Sequence, residues 1–339
     1  MLRTTDPDIA LRTVPVTTGT VSVILVVFMT GESLFPSVES ALAQPEVTEV
    51  IVVDNGSLPE DAARLAELAA LNPRVRLISG QGNVGFARGA NLGARIAEGD
   101  LLVFLNPDAF LGAGGISALA EALEGRPSPS LAGARILNSD GTEQRGGRRG
   151  EISPLSTLLS LSGLTRLPAL QRFEVHLEDQ PTPAGVVAAP TVSGACFAMR
   201  RGDFESLGGF DSGYFLHVED IDLCWRVRQA GGQVVFQPAA RVIHVGHTSR
   251  AHPLRVEFSK GRGLARFFMK RARTPVESLA IRVLSPFIVA AAVVRPILWR
   301  IGAWMPSGRS EAAPAPSGSG RPGLYRAGFR RAGGRARHG

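Results

Sequence analysis

Two almost unbroken runs of β-branched and aliphatic residues, Val21 to Phe28 (VSVILVVF) and Val50 to Asp54 (VIVVD), stand out early in the chain. Runs this short without polar alternation predict strands buried on both faces, the pattern of a parallel sheet. Gly31 to Gln44 between them has helical spacing. The alternation continues with a helix from Pro59 to Ala70, a strand Val75 to Ser79, a helix Val84 to Glu98, a strand Leu101 to Leu105 and a helix near Gly115 to Glu124. This order predicts an α/β fold with a doubly wound, mostly parallel central sheet flanked by helices. Residues 1–19, rich in Thr and Pro and without a period, read as a flexible leader.

Composition changes this picture little. With 339 residues, 44% hydrophobic and 20% charged, the chain is long enough for one large core and an appendage. Its two cysteines, Cys196 and Cys224, lie in apolar segments without metal or disulfide spacing, and no signal peptide precedes the first strand. A reducing, cytoplasmic setting is the expectation.

Open α/β sheets bind ligands beyond the carboxyl ends of their strands, so the residues following each strand are the informative ones. They are polar here: Asp54-Asn55-Gly56-Ser57, then Gly80-Gln81-Gly82-Asn83-Val84-Gly85-Phe86-Ala87, then Asn106-Pro107-Asp108. Each is also good turn chemistry taken singly; three at one sheet edge point to a nucleotide. No GxxxxGK[ST] occurs, and the glycine pattern follows the third strand instead of the first, which excludes a P-loop and a dinucleotide fingerprint. Asp54 is suited to accept a ring N–H of uracil or thymine, and Asp108 to coordinate a divalent cation holding a diphosphate. Together these describe a nucleotide-sugar.

A second concentration of chemistry is Phe215 to Arg226 (FLHVEDIDLCWR), where Glu219, Asp220 and Asp222 crowd the start of a helix running to Gln229 and ended by Gly231-Gly232. Such charge beside Phe, Leu, Cys and Trp is costly unless a metal, a cation or a reacting proton uses it. The plain alternative is that the three carboxylates complement the positive end of the helix. Val192 to Met199 is a further apolar run, expected to form a strand whose Ser193 and Gly194 line the acceptor side, where small residues let a sugar ring approach the backbone; tight packing is the other reading, and the favoured one for Ala195 and Cys196.

The segments VVDNGS, NVGFARGANLGA, FLNPDA, VSGACFAMRR, GGFDSGYFLHVEDIDLCWRVRQAG and RVIHVGHTS give the chain a strong resemblance to family 2 glycosyltransferases of the GT-A (Rossmann-like) fold, and within them to the bacterial rhamnosyltransferase-like branch. The likeness spans roughly Val21 to Arg250, about two thirds of the chain. It implies donor-base contacts at Asp54, nucleotide and diphosphate contacts around Asn83, Gly85, Arg88 and Asn106, metal binding at Asp108, and a catalytic base in the Glu219-Asp220 pair. The base is assigned to Asp220, the second residue of that pair; the like charge of Glu219 raises the pair's affinity for a proton. Glu219 and Asp222 would orient the acceptor or pair with Arg226. Where many relatives carry DxD this chain has Asn106-Pro107-Asp108, so the metal site needs help. His244 is the candidate second ligand for Mn²⁺, with Mg²⁺ as the alternative cation and His247 a weaker neighbour. Phe28-Met29-Thr30 replaces a common Tyr-Asn pair. The resemblance favours dTDP-rhamnose as donor, with another UDP- or dTDP-sugar as the alternative, while loops such as Arg145 to Arg149 hold the residues that would read sugar hydroxyls.

The character changes after residue 250. Arg250 to Arg273 is basic with Phe258, Leu264, Phe267, Phe268 and Met269 at helical spacing, and Leu279 to Trp304 is apolar but interrupted by Arg282, Pro286, Arg295 and Arg300. Its longest uncharged stretch, Val283 to Val294, is about half to two thirds of a bilayer span, which predicts C-terminal membrane-associating helices lying in the interface, with Trp299 and Trp304 at headgroup level. Packing on the sheet or on a second subunit is the other reading. The formal net charge is +7; seven arginines against Glu311 between Pro306 and Gly339 account for +6 of it, leaving a nearly neutral catalytic body. The domain plan is thus a leader, a catalytic domain over residues 20–250, an amphipathic helical extension over 251–305, and a disordered Arg-rich tail over 306–339 that favours an anionic membrane surface. Few interleaved aromatics and no RNA or DNA motif argue against nucleic acid as a partner. The expected partners are a nucleotide-sugar donor and a lipid-linked saccharide or other glycan acceptor at the cytoplasmic face of the membrane. A sugar nucleotidyltransferase, which shares a similar sheet, is the competing enzyme class.

Overall fold

A computed structural model describes residues 19–302 apart from 247, 250 and 251. The expected leader up to residue 18, His247, Trp304 and the Arg-rich tail therefore lie outside the described residues, as do the side chains of Arg295, Trp299 and Arg300. The described residues up to 299 form one compact unit.

The first half alternates as the sequence predicts: β1 (Val21–Val27), α1 (Leu34–Leu42), β2 (Val47–Asp54), α2 (Pro59–Leu71), β3 (Val75–Ile78), α3 (Phe86–Ile96) and β4 (Leu101–Leu105). There follow β5 (Ala109–Leu111), α4 (Gly115–Glu121), β6 (Ser130–Leu137), β7 (Arg148–Arg149), α5 (Pro154–Ser162), β8 (Val187–Ala188), β9 (Thr191–Val192), β10 (Cys196–Arg200) and α6 (Arg201–Ser206). The chain then runs through α7 (Glu219–Gln229), β11 (Gln233–His244), α8 (Pro253–Arg271) and α9 (Pro275–Gly302).

Nine strands form one sheet in the order β3-β2-β1-β4-β10-β6-β11-β5, with β8 added on β11. The β3-β2-β1-β4 half is parallel. Beyond it β10 runs antiparallel to both β4 and β6, β11 parallel to β6 and β5 antiparallel to β11. Strand alternation along β1 explains the unbroken apolar runs: Ile24 and Val26 enter the core on one face, Val23, Leu25 and Val27 the core on the other.

The expected single strand Val192 to Met199 is two strands in different sheets. β9 pairs with β7, whereas β10 pairs with β4 and β6. Ser193, Gly194 and Ala195 are the crossing between them. Because β10 is antiparallel to β4, with Cys196 opposite Leu105, this crossing sits beside Asn106-Pro107-Asp108.

α8 is built into the domain. Its Leu264, Phe267 and Phe268 are buried in the same core as Leu223, Cys224 and Val227 of α7, as are Ile281, Ile288 and Ala292 of α9. α9 is 28 residues long and continuous through Pro286, longer than the uncharged run suggests. One face packs on α8, where Gly261 lies against Val289. The other face leaves Val276, Leu279, Val283, Phe287 and Val294 exposed.

If α8 shares the catalytic core, Phe267→Ala should lower the free energy of unfolding by about 3–5 kcal/mol, as for other large-to-small core substitutions. Urea unfolding followed by tryptophan fluorescence measures this, and an unchanged midpoint would make α8 a separable appendage.

Candidate active site

The nucleotide end is assembled from backbone turns. Asp54 ends β2 with its Oδ1 accepting the N–H groups of Gly56 (2.9 Å) and Ser57 (2.7 Å). The carboxylate is buried, and its second oxygen is the one left for a ligand. Gln81, which carried no role in the sequence reading, donates Nε2 to the Asp54 carbonyl (2.8 Å) and to Asn55 Oδ1 (3.3 Å), tying the Gly-rich loop to β2. Asn83 does not point at a ligand with its Oδ1, which accepts the Gly85 N–H at 3.1 Å. Gly85 has φ +84°, and a Cβ there would stand 2.5 Å from the Phe215 carbonyl oxygen. That carbonyl accepts the Phe86 N–H at 2.8 Å, so the donor loop and the loop before Glu219 are locked together. Arg88 is exposed, its Nε reaching the Ser212 carbonyl only at 3.4 Å. Asn91, missed by sequence reasoning, clasps Phe210 with both its amide groups (2.8 and 2.9 Å).

At the end of β4, Asp108 meets His244. The pairing of His244 with Ala109 across β11 and β5 brings His244 Nε2 to 3.1 Å from Asp108 Oδ1 and 3.2 Å from Asn106 Nδ2. Thr248 Oγ1 donates to Asp108 Oδ2 at 2.9 Å. Burial alone would raise the Asp108 pKa, but the hydrogen bond and charge of His244 together with the Thr248 hydroxyl bring it below the ordinary aspartate value. Gln144 supports the imidazole: its Nε2 donates to the His244 carbonyl (3.0 Å) and Asn138 Oδ1 (3.2 Å), which turns Oε1 toward Nδ1 at 2.6 Å. Nδ1 therefore carries a proton, and Nε2 is the ring nitrogen turned to Asp108 and Asn106.

The carboxylate cluster occupies a strained helix start. His217 and Val218 have φ of 67° and 76°, values that cost about 1–3 kcal/mol each for residues with a Cβ. α8 braces this turn, with Gly263 packed so closely that a Cβ would lie 3.0 Å from Val218 Cγ2. Asp220 Oδ1 accepts the Ile221 N–H (2.8 Å), and Oδ2 accepts the Gly194 N–H (3.0 Å) with Arg149 Nη1 at 3.6 Å. Glu219 is buried, and its Oε2 has no hydrogen-bond partner. Desolvation, then the charge of Asp220, pushes the Glu219 pKa up to about 8.

Two expectations for the acceptor side change. Asp222 is fully buried and bonded to Arg226 Nε (2.7 Å), Lys270 Nζ (2.8 Å) and the Tyr214 hydroxyl (3.3 Å). It takes the Arg226 alternative and has no surface for an acceptor. At Gly194 the close neighbour is Asp220, whose Cβ would lie 3.2 Å from an added Cβ; the small residue admits the carboxylate. Ser193 Oγ accepts the Ala195 N–H at 3.2 Å.

Gly194 and Ala195 join the two clusters. While the Gly194 N–H is on Asp220, the Ala195 carbonyl accepts the Asn106 N–H at 2.9 Å. The Asn106-Pro107-Asp108 turn and the Asp220 carboxylate thus flank one short crossing. The sequence model of glycosyl transferase family 2 matches residues 22–208, over half of the chain.

The chain belongs to glycosyl transferase family 2.

Among similar proteins, the N-acetylglucosaminyl-diphospho-decaprenol L-rhamnosyltransferase of Mycobacterium tuberculosis is 29% identical over 250 residues, covering 67% of this chain and 76% of that one. Rhamnosyltransferase WbbL of Escherichia coli K12 is 28% identical over 237 residues, covering 66% and 80%. In fold, the chain resembles GalNAc-T7 with UDP, GalNAc and Mn²⁺ (TM-score 0.54, 18% identity, 85% of this chain and 59% of that one). It also resembles a mannosyltransferase of Pyrobaculum calidifontis in complex with GDP-Man and Mn²⁺ (TM-score 0.51, 17% identity, 87% and 83%). The protein is a glycosyltransferase of GT-A fold, which removes the nucleotidyltransferase reading.

The enzyme's Asp108 and His244 fit a divalent cation. With Nδ1 turned to Gln144, His244 Nε2 and Asp108 Oδ1 lie 3.1 Å apart on one side of the pair, where a proton joins them or a cation could take its place. One carboxylate and one imidazole suit Mn²⁺ better than Mg²⁺. No group of three His, Cys, Asp or Glu gathers among the described residues, so the remaining positions would fall to phosphate and water.

Glu219 supplies a pH test. Between its ordinary value of 4.5 and about 8 the folded chain keeps a proton that the unfolded chain has released, so rising pH favours unfolding. Relative to Glu219→Gln, the parent should lose stability progressively from about pH 5 to pH 8. Urea midpoints of both proteins at pH 5, 7 and 9 measure this, and a constant difference would mean that Glu219 is ionised when folded.

Proposed function

We propose that the enzyme transfers a sugar, rhamnose from dTDP-rhamnose being the best match, with inversion and with a divalent cation, to a hydroxyl of a lipid-linked saccharide in cell-envelope glycan synthesis. The observation that carries this reading is the crossing at Gly194-Ala195, whose consecutive residues hydrogen-bond Asp220 on one side and Asn106 on the other. The rhamnosyltransferase relatives support the choice of sugar, and the diphospho-decaprenol in one relative's name supports a lipid-linked acceptor.

The steps follow from the residues. Asp54 receives the base, and Gly85, whose missing Cβ makes room for the Phe215 carbonyl, holds the phosphate-binding loop against the segment before Glu219. Asp108 and His244 would hold the cation, whose charge, when it is bound, would offset that of the departing diphosphate. Asp220 takes the proton of the attacking hydroxyl as the new glycosidic bond forms on the face opposite the leaving group. Glu219, kept neutral by burial, puts no second charge beside Asp220.

The membrane enters through α9. By length and composition, Pro275–Val294 is enough to cross a bilayer, at mean hydropathy 1.8 with 17% of the window buried. A helix fastened along one face to the catalytic core cannot also stand across a bilayer without leaving that core. Lying flat, it presents Val276, Leu279, Val283 and Phe287 to the acyl boundary. The enzyme would then sit at the cytoplasmic face, where a lipid-linked acceptor is found by a surface search.

A panel of nucleotide-sugars with Mn²⁺ or Mg²⁺, scored by thermal shift and donor turnover, tests the division of roles. Asp108→Ala should lose cation-dependent donor binding. Asp220→Asn should keep donor binding and lose about 10²- to 10⁴-fold in transfer rate, the usual worth of a general base; full activity in that variant would remove Asp220 from the mechanism. Separately, Leu279→Glu with Phe287→Glu should abolish flotation with anionic liposomes at unchanged donor affinity, and undiminished flotation would remove α9 as the contact.

A further inference from the structure

Three arginines in the Gln144 to Gly150 segment have different fates. Arg145 is engaged by Glu174, Glu178 and His176. Arg148 donates to Glu143 (2.6 Å) and to the carbonyls of Gln180 (2.7 Å) and Pro181 (3.3 Å). Arg149, with its side chain only 19% exposed, has the Asp220 carboxylate at 3.6 Å and no hydrogen bond among the described residues. A guanidinium this enclosed with no hydrogen bond to the protein has donors to offer a ligand, and its planar fork matches phosphate oxygens.

Its backbone is fixed on both sides. Arg149 pairs with Thr191 in the β7–β9 sheet and bridges to His176, and the Gly150 N–H is held by the Val175 carbonyl at 2.7 Å. Only the side chain has freedom to change partner. Asp220, meanwhile, has both oxygens attended: Ile221 occupies Oδ1, and Gly194 with the Arg149 guanidinium attends Oδ2.

We propose that Arg149 reads a phosphate or diphosphate on the acceptor, leaving Asp220 for that anion when the acceptor binds and so freeing the carboxylate to act as a base. This rests on the lipid-linked acceptor proposed above, whose diphosphate lies next to its sugar. With the acceptor in place, the hydroxyl proton passes to Asp220, the hydroxyl oxygen bonds to the anomeric carbon, and the donor's carbon–oxygen bond breaks with its electrons leaving on the nucleoside diphosphate. Without it, Arg149 stays on Asp220 and water is not activated, which protects the donor from hydrolysis. Arg149 is thus a specificity-determining residue for an anionic acceptor.

The test uses the full chain with Arg149→Met and Arg149→Lys, two acceptors of the same sugar, one an alkyl diphosphate and the other a neutral alkyl glycoside, and donor hydrolysis with no acceptor. The parent should prefer the diphosphate acceptor. Arg149→Met should lose about 10- to 100-fold of that preference through KM, the worth of one or two charge-assisted hydrogen bonds. It should also hydrolyse donor faster than the parent at unchanged donor affinity, while Arg149→Lys keeps part of the preference. If the parent uses neither acceptor better than water, the acceptor class itself fails. If the parent discriminates but Arg149→Met slows both acceptors equally, or hydrolyses donor no faster, the role of Arg149 is overturned and the acceptor class stands.

Discussion

One backbone hydrogen bond organises this enzyme, from Gly194 N–H to Asp220 Oδ2. It forms only because β9 and β10 belong to different sheets and the chain must cross between them, exposing backbone groups that neither ladder uses. The N–H of Gly194 and the carbonyl of Ala195 point to different partners, and those partners are the two functional clusters. A residue with a Cβ at 194 would stand 3.2 Å from the Asp220 Cβ, tighter than ordinary contact. The spacing between the Asn106 turn and the Asp220 carboxylate is set across a single peptide unit, which is stiff.

Around that bond the molecule carries costs that make sense only together. The left-handed pair His217-Val218 is strained, yet it aims Glu219 and Asp220 back toward the crossing. α8 holds the turn from behind, while Lys270 bridges Asp222 at 2.8 Å and Asp211 at 3.0 Å. Buried ion pairs of this kind add little net stability but are expensive to break, so they serve to fix the start of α7. Burial that keeps Glu219 protonated follows from the same packing.

α8 and α9 therefore have a double attachment. Toward the core they complete the hydrophobic cluster beneath α7; away from it α9 offers an apolar face. The helix that would meet the lipid and the turn that carries the base are both packed on α8, at Gly261 and Gly263. The proposed membrane contact and the proposed base would then share one rigid element, which suits an enzyme whose acceptor is proposed to come from the bilayer.

Local pattern was enough for much of this. Apolar runs marked β1, β2 and β4, helical spacing marked α2 and α3, and the polar ends of those strands marked Asp54, Asn106 and Asp108, because periodicity and turn chemistry are properties of neighbouring residues. The resemblance of the ED segment added Asp220. What the sequence could not supply were the partners. Asp222 reads like its neighbours in the chain, yet it faces Arg226 and Lys270; Gln144 carries no local signal, yet it orients His244 a hundred residues away; Arg149 is one of three similar arginines until the fold leaves its donors unused. The mixed half of the sheet and the split of Val192 to Met199 were hidden for the same reason. Which strand a segment joins is decided by long-range pairing, and only the closed tertiary structure chooses among residues of equal local promise.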